Sequence, residues 1–101
     1  MDKKQQISNL IGLAKRAGKM ITGEELVVKA IQNGKAKLII LASDSASNLD
    51  KKITDKSKYY EIPISQIFTE IELSQAIGQN RKVIAIADDG FAKKMESLMK
   101  E

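Results

Sequence analysis

The sequence predicts an α/β fold, a three-layer α-β-α sandwich around a small central mixed sheet. Two apolar runs, Leu38 to Ala42 and Val83 to Ala87, read as strands buried on both faces, since a strand covered on one side only would alternate polar and apolar residues. The segments around them carry apolar residues at helical spacing, so strands alternate with helices and both faces of the sheet must be covered. With 101 residues, 43% of them hydrophobic, the chain can enclose one core, and the expectation is a single domain over residues 1–101.

Each element has its own local signal. Ile7, Leu10, Ile11, Ala14 and Ala17 recur at the spacing of one helical face, and Gly18 follows where a left-handed cap would end that helix. A short extended piece, Lys19 to Ile21, leads into Thr22-Gly23-Glu24-Glu25. That quartet fits a capping box, with Thr22 as N-cap and Glu25 reaching back. The second helix then carries Leu26, Val27, Ala30 and Ile31 inward and stops at Asn33-Gly34. After the first buried strand, Ser47 is placed to cap a third helix with Leu49 and Ile53 inside. Tyr60 to Ile64 reads as a short strand, at an edge or a strand end because Pro63 has no N–H to give a ladder. Thr69-Glu70-Ile71-Glu72 is a second capping box, opening a helix with Leu73, Ala76 and Ile77 that ends at Gly78. The polar loop Gln79 to Lys82 precedes the second buried strand, and Asp88-Asp89-Gly90 turns into a last helix striped by Phe91, Met95, Leu98 and Met99.

Composition excludes several kinds of chemistry. The chain has no Cys and no His, which removes thiolate nucleophiles, disulfides, imidazole bases and the usual zinc and copper ligands. No apolar run approaches the length of a membrane span, and the start MDKKQQISNL lacks the apolar stretch of a secretory signal, so the cytoplasm is the expected location. The net charge of +4 is unevenly placed: residues 1 to 37 carry +5 and the remainder −1. A positive field confined to one third of a chain points to an anionic partner, although a solvated lysine face has the same composition.

Three clusters are candidates for function. Gly12 and Gly18-Lys19 invite comparison with a phosphate-binding loop, but five residues separate the glycines where four are needed, Met20 stands where Ser or Thr would hold magnesium, and the preceding segment is helical. Asp44 and Asp88-Asp89 each follow a buried strand, a placement open to a small metal-dependent enzyme; with no partner base or nucleophile, turn and cap chemistry accounts for them better. The third cluster is the start of the second helix. Its unpaired backbone N–H groups suit phosphate oxygens, Gly23 permits close approach, Lys29 lies less than two turns along, and Lys15, Arg16 and Lys19 come from the preceding segment. The residues by themselves fit an anion site and an ordinary helix start equally well. The loop Gln79-Asn80-Arg81-Lys82 adds amides that can bond a base edge and a guanidinium that can stack.

Taken in order, LIGLAKRAGKMITGEELVVKAIQNGKAKLIILASD, the Pro63 region, LSQAIG and VIAIADDGFAKK resemble the kink-turn-binding family of archaeal ribosomal protein L-seven-Ae, in its bacterial branch, over nearly the whole chain. The resemblance implies a three-layer α-β-α sandwich, no catalysis, no cofactor, and binding of RNA kink-turns, sharply bent helices with tandem sheared G·A pairs. It also implies a site at the second helix, where Gly23 and Lys29 match the family motif Gly-Thr-Asn-Glu-x-x-Lys and Lys19 matches an upstream Gly-Lys pair. Glu24 stands for the motif's Thr, Glu25 for its Asn and Leu26 for its Glu, and Thr22 replaces a basic residue of archaeal members. The family loop that clasps an extruded nucleotide corresponds to Gln79 to Lys82.

The expected function is therefore non-catalytic recognition of structured, kink-turn-type RNA, with the ribosome as a candidate partner and neither membrane nor DNA involved. The RNA-binding set is Lys19, Thr22, Gly23, Glu24, Glu25, Lys29, Gln79, Asn80, Arg81 and Lys82, with Lys15 and Arg16 as supporting basic surface. Binding is expected through backbone and cations, and weaker or differently selective than in archaeal relatives. The alternative, motivated by Glu24, Glu25 and Leu26, is a protein-interaction module of the translation apparatus that keeps the fold with weak RNA readout.

Overall fold

The computed structural model describes residues 2–100. In chain order the elements are α1 (Lys3–Arg16), β1 (Met20–Thr22), α2 (Glu24–Gln32), β2 (Leu38–Leu41), α3 (Ser47–Tyr59), β3 (Ile64–Ser65), α4 (Glu70–Ile77), β4 (Val83–Ile86) and α5 (Asp89–Lys100). The four strands lie in the order β1-β4-β2-β3. β4 is antiparallel to both β1 and β2, whereas β3 runs parallel to β2, so the sheet is mixed.

The two all-apolar strands are the inner pair, and pleating divides their side chains between two cores. Leu38, Ile40, Ile84 and Ile86 pack with Ile7, Ile11, Leu73, Ala92 and Met95 from α1, α4 and α5. Ile39, Leu41, Val83 and Ala85 pack with Val27, Ile31 and Ile53 from α2 and α3. This is the α-β-α sandwich expected from the sequence.

Helix ends explain most boundaries. At the end of α1 the left-handed Gly18 lets its own N–H reach the Lys15 carbonyl (3.0 Å) and the Lys19 N–H reach the Ala14 carbonyl (2.9 Å), closing the helix. Ala17, expected inside, is the exposed C-cap of this turn. The Thr69 capping box forms as expected: Thr69 Oγ1 accepts from the Glu72 N–H at 3.2 Å, and Glu72 Oε1 accepts from the Thr69 N–H at 2.9 Å. Leu73 and Ile77 are buried on the helix that follows.

Four local expectations are corrected. Thr22 does not cap α2, because it is the last residue of β1, paired with Ile84, and Gly23 takes the N-cap position. Leu26 is 57% exposed, whereas Val27, Ala30 and Ile31 are buried as expected. Ser47 is the first helical residue of α3 rather than its cap; Ala46 precedes it without a side-chain bond. The edge strand expected over Tyr60 to Ile64 is shorter and later, Ile64–Ser65. α3 continues to Tyr59 and is closed by Glu61 at φ 58, with the Ile62 N–H bonded to the Ser57 carbonyl (2.8 Å), so extended chain begins only at Ile64. A glutamate in the position usually taken by glycine leaves no stop signal in the sequence. Pro63 does lie beside the edge strand, its carbonyl accepting from the Ile39 N–H at 2.9 Å.

The α4 cap carries a pH dependence. The Thr69 N–H, helped by Lys4 at 2.9 Å, holds the Glu72 carboxyl below its ordinary value. A depressed folded-state pKa adds stability that is complete above the ordinary glutamate value of about 4.3 and is lost as pH falls through the folded value. Glu72→Gln is expected to melt below the wild type at neutral pH, the gap closing as both are titrated below about pH 4. A gap that is constant from pH 7 to 3 would assign the effect to packing rather than charge.

Candidate nucleic-acid interface

The antiparallel pairing of β1 with β4 brings two distant loops together. Thr22 lies opposite Ile84, and the Gly23 N–H bonds the Val83 carbonyl at 3.3 Å, so the turn into α2 sits against the chain entering β4. Gly23 adopts φ 92, ψ 146, a conformation open to glycine and strained for any residue with a Cβ. That turn aims the first turn of α2 outward. No side chain caps it, so its leading N–H groups present a partial positive end at the surface.

The Gln79–Lys82 loop is fixed against this corner. The Arg81 N–H bonds Ser74 Oγ on α4 at 3.1 Å, and Ser74 Oγ lies 3.2 Å from the Arg81 carbonyl. The half-buried Arg81 guanidinium reaches the end of β1: its Nε donates to Thr22 Oγ1 at 3.4 Å and its Nη1 to the Asn80 carbonyl at 2.8 Å. Gln79, Asn80 and Lys82 are exposed. Gly23, Glu24, Glu70, Asn80, Arg81 and Lys82 thus line one shallow cleft between the two loops.

A larger open groove of about 770 Å³ continues from Gly23 along α2, lined by Glu24, Glu25, Leu26, Lys29 and, from α3, Lys52. Glu24 is ion-paired with Lys52 at 2.9 Å. Lys29 and Lys82 are exposed and form no ion pair among the described residues.

The remaining expected residues lie elsewhere. Lys19 stands at the opposite end of β1, where its carbonyl accepts from the Ala87 N–H at 2.9 Å, about 10 Å of strand away from Thr22. Lys15 donates to the Ile77 carbonyl at 2.6 Å, capping α4 just before the Gln79–Lys82 loop, and Arg16 is exposed beside it. Asp44 and Asp88 do not form one acidic site, because β2 and β4 are antiparallel and the two residues leave opposite ends of the sheet. Each accepts a helix N–H instead, Asp44 from Glu70 at 2.9 Å and Asp88 from Phe91 at 2.9 Å. Among the described residues no group of acidic side chains is arranged to hold a metal ion.

Sequence reasoning missed Lys52 and Ser74. Helical spacing from Ile53 places Lys52 on the rim of α3, but its contact with Glu24 spans 28 residues and depends on how α2 and α3 lie on the sheet.

Comparison with known proteins converges on one family. The model of the ribosomal protein L7Ae/L30e/S12e/Gadd45 family matches residues 5–96. The chain is 53% identical over 96 residues to RNA-binding protein YlxQ of Enterococcus faecium, covering 95% of this chain and 93% of that one. It is 46% identical over 91 residues to RNA-binding protein YlxQ of Bacillus subtilis, covering 89% and 91%. A solved structure of a Bacillus halodurans protein of unknown function superposes with a TM-score of 0.90 at 44% identity, covering 94% of this chain and 97% of that one.

Proposed function

Because the chain belongs to the ribosomal protein L7Ae/L30e/S12e/Gadd45 family, we propose that it is a non-catalytic RNA-binding protein of the cytoplasm, one domain that docks kink-turn-type RNA in the cleft between the start of α2 and the Gln79–Lys82 loop and in the groove that continues from it along α2. The observation that carries the proposal is the sheet register. It joins an uncapped helix start, a glycine turn that a backbone can approach, and a cationic amide-bearing loop around one open surface. Relatives named as RNA-binding proteins support it.

In this reading the N–H groups at the head of α2 and the ammoniums of Lys29 and Lys82 meet phosphate oxygens, which position the RNA. Arg81, held by Thr22, offers a planar guanidinium for stacking, and Gln79 and Asn80 offer amides to a base edge. Glu24 and Glu25 repel phosphate but can accept from base amino and imino N–H groups, so they favour a bent RNA whose base edges face the groove. Lys19, Lys15 and Arg16 contribute long-range field outside the groove itself. Ribosomal RNA is the natural source of such an element for a protein of this family.

Titration against a kink-turn RNA and the same duplex lacking its G·A pairs tests this. The wild type is expected to prefer the kink-turn, with log affinity falling linearly against log salt. Lys29→Ala should lower that slope by about one. Equal binding to both RNAs would remove the kink-turn claim, and salt-independent binding would remove phosphate contact.

One observation favours the protein-interaction reading: Leu26 at the groove and Ile71 on α4 are 57% and 71% exposed. If Leu26 anchors a protein partner, a partner retained after nuclease treatment should be lost on Leu26→Ser, whereas RNA affinity falls far less than in Lys29→Ala.

A further inference from the structure

We infer that Lys52 on α3 is itself an RNA-contacting residue, oriented by Glu24 so that one ammonium serves both that carboxylate and a phosphate; the inference rests on the groove reading above. Glu24 sits in the first turn of α2, where an approaching phosphate would meet a like charge. Lys52 Nζ lies 2.9 Å from Glu24 Oε2, and both side chains are about half exposed, at 47% and 48%. An ammonium has three N–H donors, and the Glu24 bond uses one. The others are available to the groove, whose wall Lys52 forms.

The support beneath Lys52 is rigid. Its neighbour Ile53 is fully buried in the core shared by α2, α3 and the sheet, which fixes the root of the side chain, and Glu24 fixes its tip. A lysine held at both ends loses less conformational freedom on meeting a phosphate than a free surface lysine does. The acidic residue at the helix start thus becomes an orienting group for a cation rather than a simple obstacle to anion binding. An exposed pair of this kind adds little to folding, so substitutions there report on binding.

The rival account is that Lys52 only cancels the charge of Glu24 and never touches RNA. Titrating Lys52→Ala, Glu24→Gln and the double variant against one kink-turn RNA across a salt series separates the two, with Lys29→Ala as the control for the groove and melting temperatures as the control for folding. Lys52→Ala is expected to weaken binding about tenfold and lower the salt slope by about one. Lys52→Gln, which keeps the length of the stem, should do the same. In the double variant the net charge is that of the wild type, yet binding should remain several-fold weaker and the slope lower by about one. A double variant with wild-type affinity and slope overturns the contact. So does an unaffected Lys52→Ala beside a weakened Lys29→Ala, with the groove reading left standing. Should the wild type fail to bind, or Lys29→Ala have no effect, the groove reading itself falls and takes Lys52 with it.

Discussion

Gly23→Ala is expected to destabilise the protein by about 1–3 kcal/mol and to weaken kink-turn binding by about tenfold. Gly23 stands at φ 92, ψ 146 at the junction of β1 and α2, and a Cβ there would meet no atom within 4 Å. The cost is therefore backbone strain alone. The chain can relieve it only by rotating the Gly23 peptide, which breaks the alignment of the Gly23 N–H with the Val83 carbonyl and swings the leading N–H groups of α2 away from the groove. Restoring the original turn on binding then costs what the free protein had relieved, and affinity falls. Gly34→Ala is the control, since Gly34 has φ 81 at the other end of α2 and should lose stability without losing RNA affinity. Wild-type stability and binding in Gly23→Ala would show that this turn geometry is not needed.

Ile39→Ala is expected to cost about 2–5 kcal/mol in a denaturant titration, a large share of the roughly 5–15 kcal/mol available to a domain of this size. Ile39 is fully buried on one of the two inner strands, facing α2 and α3, and its truncation leaves a cavity under both helices. Ile40→Ala should cost a similar amount, but on the opposite face, beneath α1, α4 and α5. The two variants differ in their consequence. Loosening the α2–α3 layer disturbs the seat of Lys29 and Lys52, so at conditions where both variants remain folded, RNA binding should weaken in Ile39→Ala and stay near wild type in Ile40→Ala. A stability loss below about 1 kcal/mol in either would contradict its place in a two-sided core.

Much of the candidate surface was legible as residue types but not as neighbours. The glycines at 18, 34 and 78 and the Thr69–Glu72 box stop and start helices through bonds within a few residues, so they could be read locally. Glu61 performs the same closing role on α3 with no compositional mark, so the expected edge strand begins four residues too early. At Thr22 the local pattern was good and the answer different, because pairing with Ile84 holds the residue in the sheet and turns its hydroxyl to Arg81.

The order of helices and strands, the double-sided burial of Leu38–Leu41 and Val83–Ile86, and the separation of polar loops from core were determined by the sequence itself, since each rests on a repeating apolar pattern that every neighbouring residue reinforces. Which charges meet was decided only by the tertiary structure. Two uniformly apolar strands carry no mark of whether they run parallel or antiparallel. That one choice sends Asp44 and Asp88 to opposite ends of the sheet, and the pairing of β1 with β4 brings Arg81 to Thr22. Lys52 reaches Glu24 because α2 and α3 share a face, a relation set by packing across the sheet and by nothing within either helix.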